Sequence, residues 1–100
     1  MRGVWTWPEK DRQKILRSLD TPHIIAILTA LNEKSESGLS NAEIDSLLGT
    51  ASQWLIFWDL RELMSLEVVQ YTPELFGEPG KYRLTELGRS VLKELQRHEQ

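Results

Sequence analysis

One hundred residues with 40% apolar content suffice for one compact domain with a real core, and burial in so small a domain is marginal enough that help from a partner is expected. The absence of cysteine excludes disulfide scaffolds, Cys-ligated zinc and thiol chemistry. The opening M-R-G-V-W-T-W-P lacks a signal-peptide apolar region, and the apolar runs fall far short of the roughly 20 residues of a membrane span, so a soluble cytoplasmic protein without membrane contact is expected.

The net charge of −3 is unevenly spread. In the first twenty residues Arg2, Lys10, Arg12, Lys14 and Arg17 outweigh Glu9, Asp11 and Asp20. Over residues 39–70 Arg61 stands alone against Glu43, Asp45, Asp59, Glu62 and Glu67. A reader of nucleic acid normally shows a basic face, because each neutralised phosphate adds affinity by releasing counterions. The centre of this chain is acidic.

Residues 1–7 read as an arm, and residues 8–100 as a single domain. Thr6-Trp7-Pro8-Glu9 has the form of a helix start, with Thr6 as N-cap, Pro8 in the first turn and Glu9 at the capping-box position. The helix that follows spans roughly 8–19, with Ile15, Leu16 and Leu19 on its apolar side and Lys10, Gln13, Lys14 and Arg17 on a solvated one. Thr21-Pro22 caps a second helix, whose Ile24, Ile27, Leu28 and Leu31 follow the i, i+3, i+4, i+7 rule of a core helix. N-E-K-S-E-S-G over 32–38 is a polar turn. Ser40-Asn41-Ala42-Glu43 is a second capping box, opening a short helix that should bury Ile44, Leu47 and Leu48 and close at Gly49-Thr50-Ala51.

Ser52 is the expected N-cap of the next helix. Ile56, Leu60, Leu63 and Glu67 share one face of it at about 100° per residue, yet Trp54 and Trp58 fall almost opposite. A helix apolar on two sides needs cover on both. After Leu66 the period becomes extended: Val68, Val69, Tyr71 and Thr72 favour strand, Gly77-Glu78-Pro79-Gly80 is a turn within a tip over 74–80, and Lys81-Tyr82-Arg83-Leu84 returns. Thr85 then caps a last helix with Leu87, Val91, Leu92 and Leu95 on one side. Together these predict a mainly α fold with a small β-hairpin (α+β).

Catalysis has little support: the only histidines are His23 and His98, without cysteine or a Gly-rich phosphate loop. Glu94 and His98 could supply only part of a metal site. Neither a catalytic residue, nor a metal, nor a cofactor is expected.

Four stretches carry a resemblance: L-D-T-P-H-I-I-A-I-L-T-A-L (19–31), L-S-N-A-E-I-D-S-L-L-G (39–49), L-R-E-L-M-S-L-E-V-V (60–69) and K-Y-R-L-T-E-L-G (81–88). In this order and spacing they resemble winged helix-turn-helix regulators of the ArsR, MarR or PadR type, over about residues 19–96 and with one additional N-terminal helix. The resemblance implies a DNA-binding transcriptional regulator, a symmetric dimer, a reading helix in the major groove of double-stranded DNA and a wing on the backbone or minor groove; the amphipathic first and last helices are the expected homodimer contact. By position, the base-facing residues would be Ser52, Gln53, Trp54, Phe57, Trp58 and Arg61, with Lys81 and Arg83 on the wing. Gln53 can read adenine and Arg61 can reach guanine or a phosphate, but aromatic rings lack the donors and acceptors that base edges require. Glu67 stands where such proteins commonly have glycine, which suggests a different helix end.

The Trp pairs Trp5/Trp7 and Trp54/Trp58 admit three readings. The N-terminal pair covers the other pair, within one chain or across a dimer, at an interface that also holds Leu92 and Leu95; the aromatic face docks another protein; or it contacts nucleic acid. The alternative to DNA binding is therefore a winged-helix protein-interaction module using the same helix.

Overall fold

The computed structural model describes residues 5–49 and 53–97, with side chains for 5–49 and 56–97. The elements run α1 (Glu9–Leu19), α2 (Pro22–Glu33), α3 (Asn41–Leu48), α4 (Gln53–Ser65), β1 (Val69–Thr72), β2 (Lys81–Leu84) and α5 (Glu86–Arg97). β1 and β2 pair antiparallel from Val69↔Leu84 to Thr72↔Lys81. The segment before α3 pins the other edge of β2: Leu39 N–H donates to Tyr82 O at 2.9 Å and Tyr82 N–H to Leu39 O at 2.7 Å. No described helix is long and apolar enough to cross a membrane.

The caps read from sequence hold at α2 and α3. Ile24 N–H donates to Thr21 Oγ1 at 3.2 Å, and both arms of the Ser40/Glu43 box are present, satisfying N–H groups that a helix start leaves unpaired. At α1 the expectation fails, because Pro8 and not Thr6 takes the N-cap position, without a side-chain bond. Trp7 is drawn into the core with its indole N–H on Leu66 O at 2.8 Å, and the chain enters the helix only after that anchor.

Each amphipathic stripe meets at one core. Ile27, Leu28 and Leu31 of α2, Ile56, Leu60 and Leu63 of α4, and Leu87, Val91, Leu92 and Leu95 of α5 are buried with Val68, Val69, Tyr82 and Leu84. Fully burying one such aliphatic side chain is worth about 1.5–3 kcal/mol. α3 contributes less than predicted. Ile44 is buried and Leu48 is half-buried, but Leu47 is 61% exposed, since eight residues give only two turns and Ile44 and Leu48 define the inner side.

The junction of α4, β1 and α5 explains the Thr-x-x-Gly motif. Val68 N–H donates to Leu63 O and Glu67 N–H to Met64 O, the two bonds of a Schellman motif with Glu67 at the left-handed position, φ 65°. The helix thus ends as it would with glycine there, contrary to the expectation from Glu67, and a side chain in that conformation costs about 1–2 kcal/mol. Burial of Val68 and the Thr85 hydroxyl offset this: the hydroxyl is 2.6 Å from Glu67 O and 3.1 Å from Val68 O, and accepts from Gly88 N–H at 2.9 Å. A Cβ on Gly88 would lie 2.1 Å from Val68 O, so α5 can approach β1 this closely only with glycine.

The hairpin reverses earlier than predicted. Leu75 and Glu78 exchange backbone hydrogen bonds of 3.2 and 3.0 Å, and the two residues between them, Phe76 and Gly77, have φ 53° and 81°, the positive values that a type I′ turn demands.

Candidate nucleic-acid interface

α4 is held by Ile56, Leu60 and Leu63 and turns its other side outward. There Trp58 is 58% exposed and Phe57 40%, their rings in an edge contact at 5.7 Å and 75°. The exposed Arg61 places its guanidinium 5.9 Å from the Trp58 ring centre, within cation–π range. Trp58, Arg61, Glu62 and Ser65 line a shallow hollow of about 420 Å³ that ends at Leu66. Gln53 and Trp54 belong to the first turn of α4, but their side chains, like Ser52 as a whole, lie outside the described residues. The double-sided character of this helix therefore rests on Phe57 and Trp58.

Trp5 and Trp7 do not cover Trp58 within the chain. They pack edge to face at 5.5 Å, Trp7 bonds to the backbone just beyond α4, and the Arg12 guanidinium sits 3.7 Å over the Trp5 ring. Trp7 thus lies at the C-terminal end of α4, and Trp58 stays exposed. Leu92 and Leu95, expected at an interface, are buried in the chain's own core.

The wing cations are engaged internally. Lys81 Nζ lies 2.9 Å from Glu43 Oε1, the same oxygen that accepts from Ser40 N–H at 2.8 Å. The Ser40 backbone bond, with Lys81 assisting, holds the Glu43 carboxyl well below its ordinary 4.5, at about 2. Arg83 donates from Nε to Glu36 O at 3.1 Å and from Nη1 to Thr72 Oγ1 at 3.3 Å. Each of these wing cations ties the hairpin to the segment around α3. At the tip Phe76 is 94% exposed, with Leu75 beside it.

The sequence reading missed one contact across the site. His23 Nε2 lies 2.8 Å from Asp59 Oδ2, joining the start of α2 to α4. It lacks the alignment of a regular hydrogen bond, so its attraction is that of an ion pair when the imidazole is protonated. Burial pushes the Asp59 carboxyl up and His23 pulls it back. No spacing rule links positions 23 and 59; only the packed structure brings them together. Glu94 pairs with Arg97 at 3.1 Å, and its expected partner His98 lies outside the described residues. Among the described residues no three His, Cys, Asp or Glu gather as a metal site.

No protein-family model matches the chain, and no curated protein matches it. Among solved structures, that of diamide-treated YodB from B. subtilis is similar, with a TM-score of 0.73 and 23% sequence identity over 94% of this chain and 90% of that one. The chain has a winged-helix-like fold. Within this winged helix, α3 and α4 form the helix-turn-helix pair and the β1–β2 hairpin is the wing.

Proposed function

We propose that this winged helix is a DNA-binding transcriptional regulator of the ArsR, MarR or PadR type, acting as a symmetric homodimer that lays α4 in the major groove. The observation that supports it is the placement of α4: its inner side is locked by Ile56, Leu60 and Leu63 while Phe57, Trp58 and Arg61 stand outward beside the wing. Arg61 reaches a guanine or a phosphate, and the aromatic rings lie against thymine methyl groups, the apolar feature of the major groove. With Lys81 and Arg83 engaged internally, few phosphates are neutralised and the salt dependence of binding is shallow.

Titration of labelled duplex DNA at low salt tests this reading, with wild type beside the Trp58→Ala/Arg61→Ala variant. An affinity loss of at least about tenfold is expected, equivalent to about 1.4 kcal/mol; equal affinity rejects the surface. Light scattering at tens of micromolar tests the dimer, which a monomer mass refutes.

The exposure of Trp58 and Leu47 in an acidic setting favours one second reading, a protein-interaction module using the same helix. Salt separates the two. An apolar protein contact holds or strengthens as salting-out salt is added, whereas the DNA complex loses affinity, with a shallow slope.

A further inference from the structure

We propose that the hollow between the end of α2 and the outer side of α5 is an anion site that takes a phosphate group. It is lined by Asn32, Arg89, Ser90, Lys93 and Gln96 around the buried Leu92, and holds about 390 Å³. Each polar side chain on that lining can donate a hydrogen bond, and none is a carboxylate. Arg89 and Lys93 stand one helical turn apart, where like charges repel. Both are exposed and neither forms an ion pair among the described residues.

In a chain with 15 acidic and 12 basic residues, carboxylates to neutralise two adjacent cations are plentiful, yet among the described residues those near in sequence do not line the hollow. Glu94 is on Arg97, and Glu33 and Glu86 do not line the hollow. A phosphate supplies what is missing: charge to relieve the Arg89–Lys93 repulsion, and several acceptor oxygens for a planar guanidinium fork, an ammonium and neutral donors. The hollow lies on α2 and α5, away from the outer side of α4, so it stands or falls independently of the DNA-reading surface. The phosphate can belong to a free phosphomonoester or to a nucleic-acid backbone; both present the same oxygens.

The test is an NMR titration of the isotope-labelled full chain with inorganic phosphate, ionic strength being held constant with chloride. Saturable shifts at Asn32, Arg89, Ser90, Lys93 and Gln96 are expected. The Arg89→Gln/Lys93→Gln variant, and separately Gln96→Glu, which places a carboxylate in the hollow, should each bind at least about fivefold more weakly with an unchanged melting temperature. Non-saturating drift shared with Lys10 and Lys14, or equal affinity in either folded variant, overturns the proposal. A parallel arm adds a short duplex to the phosphate-loaded protein. Displacement of phosphate from these residues assigns the site to backbone phosphate, and persistence of the phosphate shifts assigns it to a free phosphomonoester.

Discussion

α5 and α4 are helices of 12 and 13 residues packed into the same core, and they use their apolar residues differently. In α5 Leu87, Val91, Leu92 and Leu95 are all buried, with Arg89, Lys93 and Arg97 outside. In α4 one set of apolar residues does the same work, while Phe57 and Trp58 stand on the solvent side. Folding requires one buried stripe per helix, and among the described residues of α4 Ile56, Leu60 and Leu63 supply it, with Met64 packed against the core beside them. The outward Phe57 and Trp58 form the surface on which the proposed DNA reading rests.

The largest effect expected is on the inner side of α4. Leu63→Ala removes a fully buried side chain and should cost about 2–5 kcal/mol in urea unfolding. Gly88→Ala forces a methyl group against Val68 O and should cost about 1–3 kcal/mol; a neutral result would mean that α5 does not depend on this close approach. Ser40→Ala breaks the α3 cap and should cost about 1 kcal/mol.

The same box carries a pH dependence. The folded pKa of Glu43, about 2, lies below its ordinary 4.5, so its contribution is complete above pH 4.5 and is lost as the pH falls through about 2. Glu43→Gln should flatten the urea midpoint over that window, and an unchanged acid slope would show that another group dominates. Glu67→Gly should gain about 1 kcal/mol by relieving the left-handed side chain. Smallest of all, Trp58→Ala should change stability by no more than about 0.5 kcal/mol. A loss comparable with that of Leu63→Ala would erase the contrast between the two sides of α4.

The frame was largely legible in the chain, because Thr21, Ser40 and Thr85 mark helix starts and the 3.6-residue stripes name the buried sides of α2 and α5. Local rules do not reach pairings between distant positions. The Lys81–Glu43 pair spans 38 residues, and the His23–Asp59 contact forms only once α2 and α4 are packed. Glu67 shows the reverse case, in which a residue poorly suited to its conformation is overruled by the Schellman bonds and by Thr85. Composition marks Trp5 and Trp7 as cover without indicating which surface they cover, and within the chain Trp7 bonds to the backbone at Leu66.

On the proposed reading the outer side of α4 is a DNA-binding surface rather than part of the fold. The most direct test is the duplex affinity of Trp58→Ala/Arg61→Ala at low salt relative to wild type. Binding at least about tenfold weaker from a variant of unchanged stability is the predicted result, and wild-type affinity in the folded variant would contradict it.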